Sequence, residues 1–273
     1  MDMELSTTTL VLFILLAACG IAQSLVVPIA KYSGVPNSDI TQALTNAWRE
    51  ACASPTASKI LYVDGTIIAP MNPRDVGDEW QWVKVQYVDY FTLSGNGVFD
   101  GQGAIAWQQN DCGTNVNCAR TPINFGFNFM KHAVVRIITS KDSKNFNVNE
   151  LGCQNFTFDG FKVIAPGNSL NTDGIHLGRS NGVRILNTDI AVGDDCISID
   201  DGSVNTHIYN VKCGPGHGIS VGSLGKYTTE APVEGLILKK VTLTNTDNGL
   251  RIKSCLVLLE LLLSLIFIMK TLP

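Results

Sequence analysis

Three residues able to move protons recur at equal spacing. Asp173, Asp195 and His217 open the segments DGIHL, DCISI and HGISV, with 195 − 173 = 22 and 217 − 195 = 22 residues between them. Asp194 adds a second carboxylate beside Asp195. A fourth segment, NGLRI, starts at Asn248 (248 − 217 = 31) and brings Arg251, with Lys253 just beyond. Carboxyls that share a site raise one another's pKa values, so one can stay protonated while another is ionised, as acid and base catalysis require. Singly, each motif is ordinary: NTDG is a common turn, Asp194-Asp195 a solvated acidic turn, Arg251 and Lys253 a solvated strand face. Three polar residues at one phase of a period, facing two basic side chains, mark a functional site.

The spacing also says what must position them. A fixed period near 20 residues marks a solenoid, each repeat stacked on the last. Ile175 and Leu177, Ile197 and Ile199, Ile219 and Val221, and Leu250 and Ile252 alternate with His176, Ser198, Ser220 and Arg251. Strand side chains alternate faces, so the aliphatic ladder points inward and the polar one outward. If the coils pair in parallel, equivalent residues lie about 4.8 Å apart, and Asp173, Asp195 and His217 form a column. A helix is expected over 39–52, capped by Ser38 or Asp39, with Ile40, Ala43, Leu44, Ala47, Trp48 and Ala51 on one face, closing the solenoid's open end. Strand-like runs follow at ILYV, TIIA, WVKVQYV and FTLSG, with a loop over 70–81 and a Cys-bounded loop over 112–122. Asn145, Asn147 and Asn149 fit either a stacked polar ladder or surface turns.

The motifs NTDGIH, GDDCISI, CGPGHGIS and RIK, in that order, resemble the signature set of polygalacturonases of glycoside hydrolase family 28. GQGAIAWQQNDC at 101–112 and SLGKY at 223–227 resemble the plant, pollen-type exopolygalacturonases. The resemblance implies an all-β, right-handed parallel β-helix with an N-terminal capping α-helix. It implies inverting hydrolysis of α-1,4-galacturonosyl bonds in pectin, exo-acting, in plant cell-wall modification. On it, Asp194 is the general acid, Asp173 and Asp195 hold the attacking water, and His217 tunes Asp194. Asn171, His176, Arg251 and Lys253 bind substrate, the last two by pairing with galacturonate carboxylates. Cys196 and Cys213 form a disulfide. No cofactor and no metal are expected, and the spacings hold no CxxC metal knuckle. A Ca²⁺-dependent lyase of the same solenoid class is the first rival, and a defective pectin-binding β-helix protein the second. The family usually has Gly where this chain has Asp200, giving ISIGDG rather than ISIDDG. A segment between Leu61 and Tyr62 looks missing, which leaves Cys52 without its family partner.

The 273 residues suffice for one sizeable domain. With 20 Lys and Arg against 24 Asp and Glu, the net charge of −4 and the lack of any basic run exclude general nucleic-acid binding. Residues 1–22 read as a secretory signal, with an apolar run from Leu10 to Ala18 and cleavage after Ala22. The organisation expected is signal 1–22, an incomplete β-helix hydrolase domain 23–254, and a non-family apolar tail 255–273. The tail's apolar run, interrupted at Glu260, is shorter than the ~18–20 residues of a transmembrane helix, and a genuine hydrophobic anchor is the alternative reading. A secreted, extracellular monomer of the cell wall is expected, its partner polygalacturonate, with neither nucleic acid nor membrane. Asn155-Phe156-Thr157 is a glycosylation sequon.

Overall fold

The computed structural model describes residues 26–54, 58–76, 80–112, 114–115 and 117–255, and the backbone of 268–269. The signal expected at 1–22 and the tail from 256 to 267 and 270 to 273 lie outside the described residues. The chain divides into two compact units, 1–57 and 58–273.

In the first unit a 3-10 turn, Ile29–Tyr32, precedes helix α1, Thr41–Ala53. The helix starts two residues later than the pattern predicts. Ile40 takes the N-cap place, and Asp39 Oδ1 accepts from the Thr41 amide at 2.8 Å. The Ser38 hydroxyl turns back to the Val35 carbonyl at 2.7 Å instead of capping. Ala43 and Ala47, four apart, are the buried pair of the apolar stripe. Lys31 Nζ and Tyr32 Oη both donate to Glu50 Oε2 at 2.5 Å, which ties the turn to the helix. Cys52 is an exposed free thiol.

The second unit is a parallel β-helix. Its first coils contain β1 (Lys59–Tyr62), β2 (Thr66–Ile68), β3 (Gln81–Gln86), β4 (Phe91–Ser94) and β5 (Val98–Asp100). Helix α2 (Ala104–Gln109) and the Cys112–Cys118 disulfide loop follow. Then come β6 (Ile123–Asn128), β7 (Val134–Arg136), β8 (Thr139–Lys141), β9 (Val148–Leu151), β10 (Thr157–Asp159) and β11 (Lys162–Ile164). The site coils hold β12 (Ile175–Gly178), β13 (Arg184–Leu186), β14 (Asp189–Ala191), β15 (Ile197–Ile199), β16 (His207–Cys213), β17 (Ile219–Leu224), β18 (Ile237–Leu243) and β19 (Leu250–Ser254). β20, Ile268–Met269, pairs its backbone with Ile237 and Leu238 of β18.

Every strand pairs in parallel with its counterpart one coil away. One sheet runs β3-β6-β9-β12-β15-β17-β19. The other two faces merge, because the long β16 pairs with β13 through His207 to Tyr209 and with β14 through Lys212 and Cys213. The predicted ladders appear in register: Ile175, Ile197, Ile219 and Leu250 pair in turn, as do His176, Ser198, Ser220 and Arg251. The interior follows from that register. Phe99, Phe125, Phe127, Phe156, Phe158 and Phe161 fill the earlier coils, and the Ile, Leu and Val ladder fills the later ones. Phe125 meets Phe99 edge-on at 4.7 Å between ring centres.

Two local features differ from expectation. Asn147 is neither a surface turn residue nor stacked with Asn145 and Asn149. It is fully buried and accepts from Ser140 Oγ at 2.8 Å, while its amide reaches the Asp173 carbonyl at 3.1 Å. The side-chain ladders of the corners use other residues: Asn187, Asn205 and Asn210 adopt left-handed turns, which Asn tolerates, and donate to Asp159, Asn181 and Asn187 on the preceding coil. Asn155 of the sequon sits exposed on such a corner.

Candidate active site

Because Ile175, Ile197, Ile219 and Leu250 pair, the residues two before them occupy one column at the strand entrances. Asp173, Asp195, His217 and Asn248 therefore follow one another along the coils. Backbone hydrogen bonds fix the entrances: the Asn147 amide donates to the Asp173 carbonyl, Gly174 to Asp195, His217 to Asp194 and Cys196 to Gly218. Cys196 and Cys213 are joined in a disulfide, which ties the residue after Asp195 to the end of β16. Gly218 is required beside His217: at φ 91° a Cβ there would lie 2.3 Å from the Asn248 carbonyl oxygen.

The three carboxyls have different surroundings. Asp195 is 1% exposed and fully engaged: Arg251 Nη2 donates to Oδ1 at 2.8 Å, and Lys253 Nζ and Ser220 Oγ donate to Oδ2 at 2.7 and 2.5 Å. Burial would raise its pKa. The hydrogen bonds from Lys253 and Ser220 and the charges of Lys253 and Arg251 outweigh that and hold it below the usual carboxylate range. Asp173 is buried, and among the described residues no cation is in contact with it. Burial first, then the Asp194 and Asp195 charges, push its pKa well up against a hydrogen bond from Ser198 Oγ at 3.2 Å and the charge of Lys253. Of the two carboxyls whose proton affinity is clearly shifted, Asp173 is thus the one shifted upward. Asp194 is partly exposed, and both of its contacts fall on Oδ1, from the Asp195 amide at 2.8 Å and from His217 Nδ1 at 3.0 Å. His217 Nε2 lies 3.5 Å from Asp247 Oδ2.

The structure brings Asp173, Asp194, Asp195, His217, Arg251 and Lys253 together. Asn171, two residues before Asp173, is exposed in a left-handed turn, its Oδ1 accepting from Asn110 at 2.9 Å. His176 is half-buried against Phe146, with Nδ1 2.8 Å from Ser198 Oγ. The outward ladder is not solvated throughout. Ser198 and Ser220 are buried, because the carboxylates and the two basic side chains lie over them. Their bonds to Asp173 and Asp195 were signalled in the sequence only by their place in the polar ladder. Asp247 had no such signal, since it precedes the fourth segment within a longer coil. Ligand atoms of Asp194, Asp195 and His217 lie within 4.8 Å of one another. A cation there would have to displace the two basic side chains from Asp195, so the donors present suit hydrogen bonding and proton transfer.

The sequence profile of the glycosyl hydrolases family 28 matches residues 31–257. The chain belongs to this family. A polygalacturonase of Medicago sativa is 52% identical over 92% of the chain, and an exopolygalacturonase of Oenothera organensis 46% identical over 79%. The chain spans 66% of each of these relatives' lengths. Among solved structures, the Erwinia carotovora polygalacturonase superposes with a TM-score of 0.67 at 23% identity, over 81% of this chain and 70% of that one. That likeness identifies the fold of this family 28 member as the parallel β-helix of the polygalacturonases.

Proposed function

We propose that this family 28 protein hydrolyses the α-1,4-galacturonosyl bonds of pectin, acting from chain ends as a secreted enzyme of the plant cell wall. The observation that carries the reading is the contrast within the cluster: a buried, cation-bound Asp195 beside a partly exposed Asp194 whose Oδ2, among the described residues, takes no hydrogen bond. Glycoside hydrolysis needs one carboxyl to protonate the leaving oxygen and another group to handle water. In this reading Asp194 gives the proton, and the contact of His217 with its Oδ1 supports the role of orienting it. Asp195, kept ionised, orients the water with Asp173. Arg251 and Lys253 offer their remaining N–H donors to the carboxylate of a galacturonate unit. The names of the Oenothera and Platanus acerifolia relatives, both exopolygalacturonases, support exo action.

The test is galacturonate release from polygalacturonate by the chain and by Asp194→Asn. The variant keeps the side-chain shape and loses the proton donor, so kcat should fall on the order of 10²–10⁴-fold with KM nearly unchanged. Monogalacturonate should be the early product, and activity should survive a chelator. A variant retaining a tenth of the parent rate would remove Asp194 from this role. An unsaturated, ultraviolet-absorbing product would assign a lyase instead.

A further inference from the structure

The hydrolysis proposed above leaves a proton to be cleared. Water's oxygen bonds to the sugar's anomeric carbon as the glycosidic C–O bond breaks. Asp194 gives one proton to the leaving oxygen, and the water's surplus proton must land on a carboxylate. Asp195 is a poor acceptor, since Arg251, Lys253 and Ser220 hold its charge. Asp173, with no cation in contact among the described residues and a high proton affinity, is the better one. It is 6% exposed, so a proton taken up there needs a way out before the next turnover.

The structure holds one. Asp173 Oδ2 is 3.2 Å from Ser198 Oγ, and Ser198 Oγ is 2.8 Å from His176 Nδ1. The other ring nitrogen, Nε2, faces outward, 4.0 Å from Asp200 Oδ2, whose side chain is 41% exposed. These residues belong to neighbouring coils in strict register, so the chain of contacts runs across the sheet without a gap at its inner end. We propose that Ser198 and His176 form the path by which Asp173 exchanges its proton with solvent, making His176 a proton-handling residue rather than a sugar contact. This rests on the hydrolase reading for its purpose, not for its geometry.

The step balances. Asp173 passes its proton to Ser198 Oγ as Ser198 passes its own to His176 Nδ1. The imidazolium so formed releases its Nε2 proton to water or to Asp200. A 180° flip of the ring about its Cβ–Cγ bond then lets Nδ1 shed the proton it received to solvent while Nε2 takes one up, and flipping back restores the starting tautomer. The charged groups that bear on His176 are Asp200, Lys253 and Asp195, and those that bear on Asp173 are Asp194, Asp195 and Lys253. Burial lowers the His176 pKa against the pull of Asp200, so the ring gives its proton up readily. Phe146 packs against it and holds its plane.

Two measurements test the path. The chain has four histidines, so ¹⁵N-histidine NMR can follow His176, assigned with His176→Gln, through a pH titration. Its midpoint should move by about half a pH unit or more in both Asp173→Asn and Ser198→Ala, because linked sites titrate together, while His132 stays put. Kinetically, Ser198→Ala should lower kcat by about ten-fold or more with KM within about two-fold. His176 titrating identically in the parent and in both variants overturns the path, as does a folded Ser198→Ala chain with unchanged kcat. If the parent releases no galacturonate, the hydrolase reading fails by itself, and the NMR result still decides the path. Should Ser198→Ala not fold, Asp173→Asn decides it.

Discussion

Asp195 is ionised at 1% exposure because two cations and a hydroxyl take both of its oxygens. A buried carboxylate stripped of one partner keeps most of its desolvation cost, so the loss exceeds that of an exposed pair. Lys253→Met should therefore destabilise the chain by about 1.5–3 kcal/mol at neutral pH, the value of a hydrogen bond to a charged group. The sign with pH follows from the depressed pKa. Asp195 contributes stability above the ordinary carboxylate range and loses it as pH falls through its folded value. The difference between parent and variant should be full near pH 7 and shrink as the pH drops below about 4. Urea midpoints across that range check it, and Asp195→Asn added to Lys253→Met should recover part of the loss. A constant difference down to pH 2 would contradict the role given to Asp195. The polar column itself was legible in the sequence, since a 22-residue period converts directly into strand register. Its internal bonding was not. The basic residues read as sugar partners, and nothing in the spacing says that Lys253 and Arg251 both close on Asp195.

At the scale of one element, β9 shows what periodicity hides. Val148 and Glu150 pair with Ile175 and Leu177, so Glu150 stands in the inward apolar ladder. It is fully buried, with Oε1 accepting from Ser180 at 2.8 Å and Oε2 without a hydrogen-bond partner among the described residues. Burial pushes its pKa up to about 7, and it also raises that of the adjacent thiol, Cys153. A group with a raised folded pKa holds its stability below the unfolded pKa, here 4.5, and loses it as pH rises through the folded one. That interval corresponds to about 3 kcal/mol at 1.36 kcal/mol per pH unit. The chain should thus lose stability between pH 4.5 and pH 7 through this residue. Glu150→Gln should flatten that slope, whatever its effect on the absolute level, because the amide does not titrate. Parallel slopes for parent and variant would show that Glu150 is not the source. No sequence rule identifies such a residue: NVNEL alternates, but one phase carries a carboxyl where neighbouring coils carry Leu and Phe. The helix and most strands were legible because their patterns are regular. The helix start was missed by two residues because Asp39 bonds the Thr41 amide from outside the helix.

Over the whole β-helix, each coil touches only its neighbours, so stability varies along the axis and is lowest where a coil has one neighbour. Among the described residues, β12 and β15 are each flanked by two strands of the site sheet, whereas β19 pairs only with β17. Burial follows the same gradient. β15 is buried throughout, while β18 and β19 have no buried position. Arg251 and Lys253 ride on β19, so among the described residues the cations that hold Asp195 ionised come from the least buried strand of the site. Hydrogen exchange should reflect this, with peptides over 248–255 exchanging at least about ten-fold faster than those over 175–178 and 197–199, since local opening there costs less than opening the interior coils. A galacturonate oligomer that engages Arg251 and Lys253 binds only the closed arrangement. Mass action then slows exchange of β19 by about a hundred-fold when the ligand is at 100 times its Kd, and slows by the same factor every larger opening that also releases the ligand. Equal protection of β19 and β15 without ligand would mean that stability is not graded along the coils. Unchanged exchange over β19 with the oligomer bound would mean that it does not close the cationic edge onto the carboxylate column.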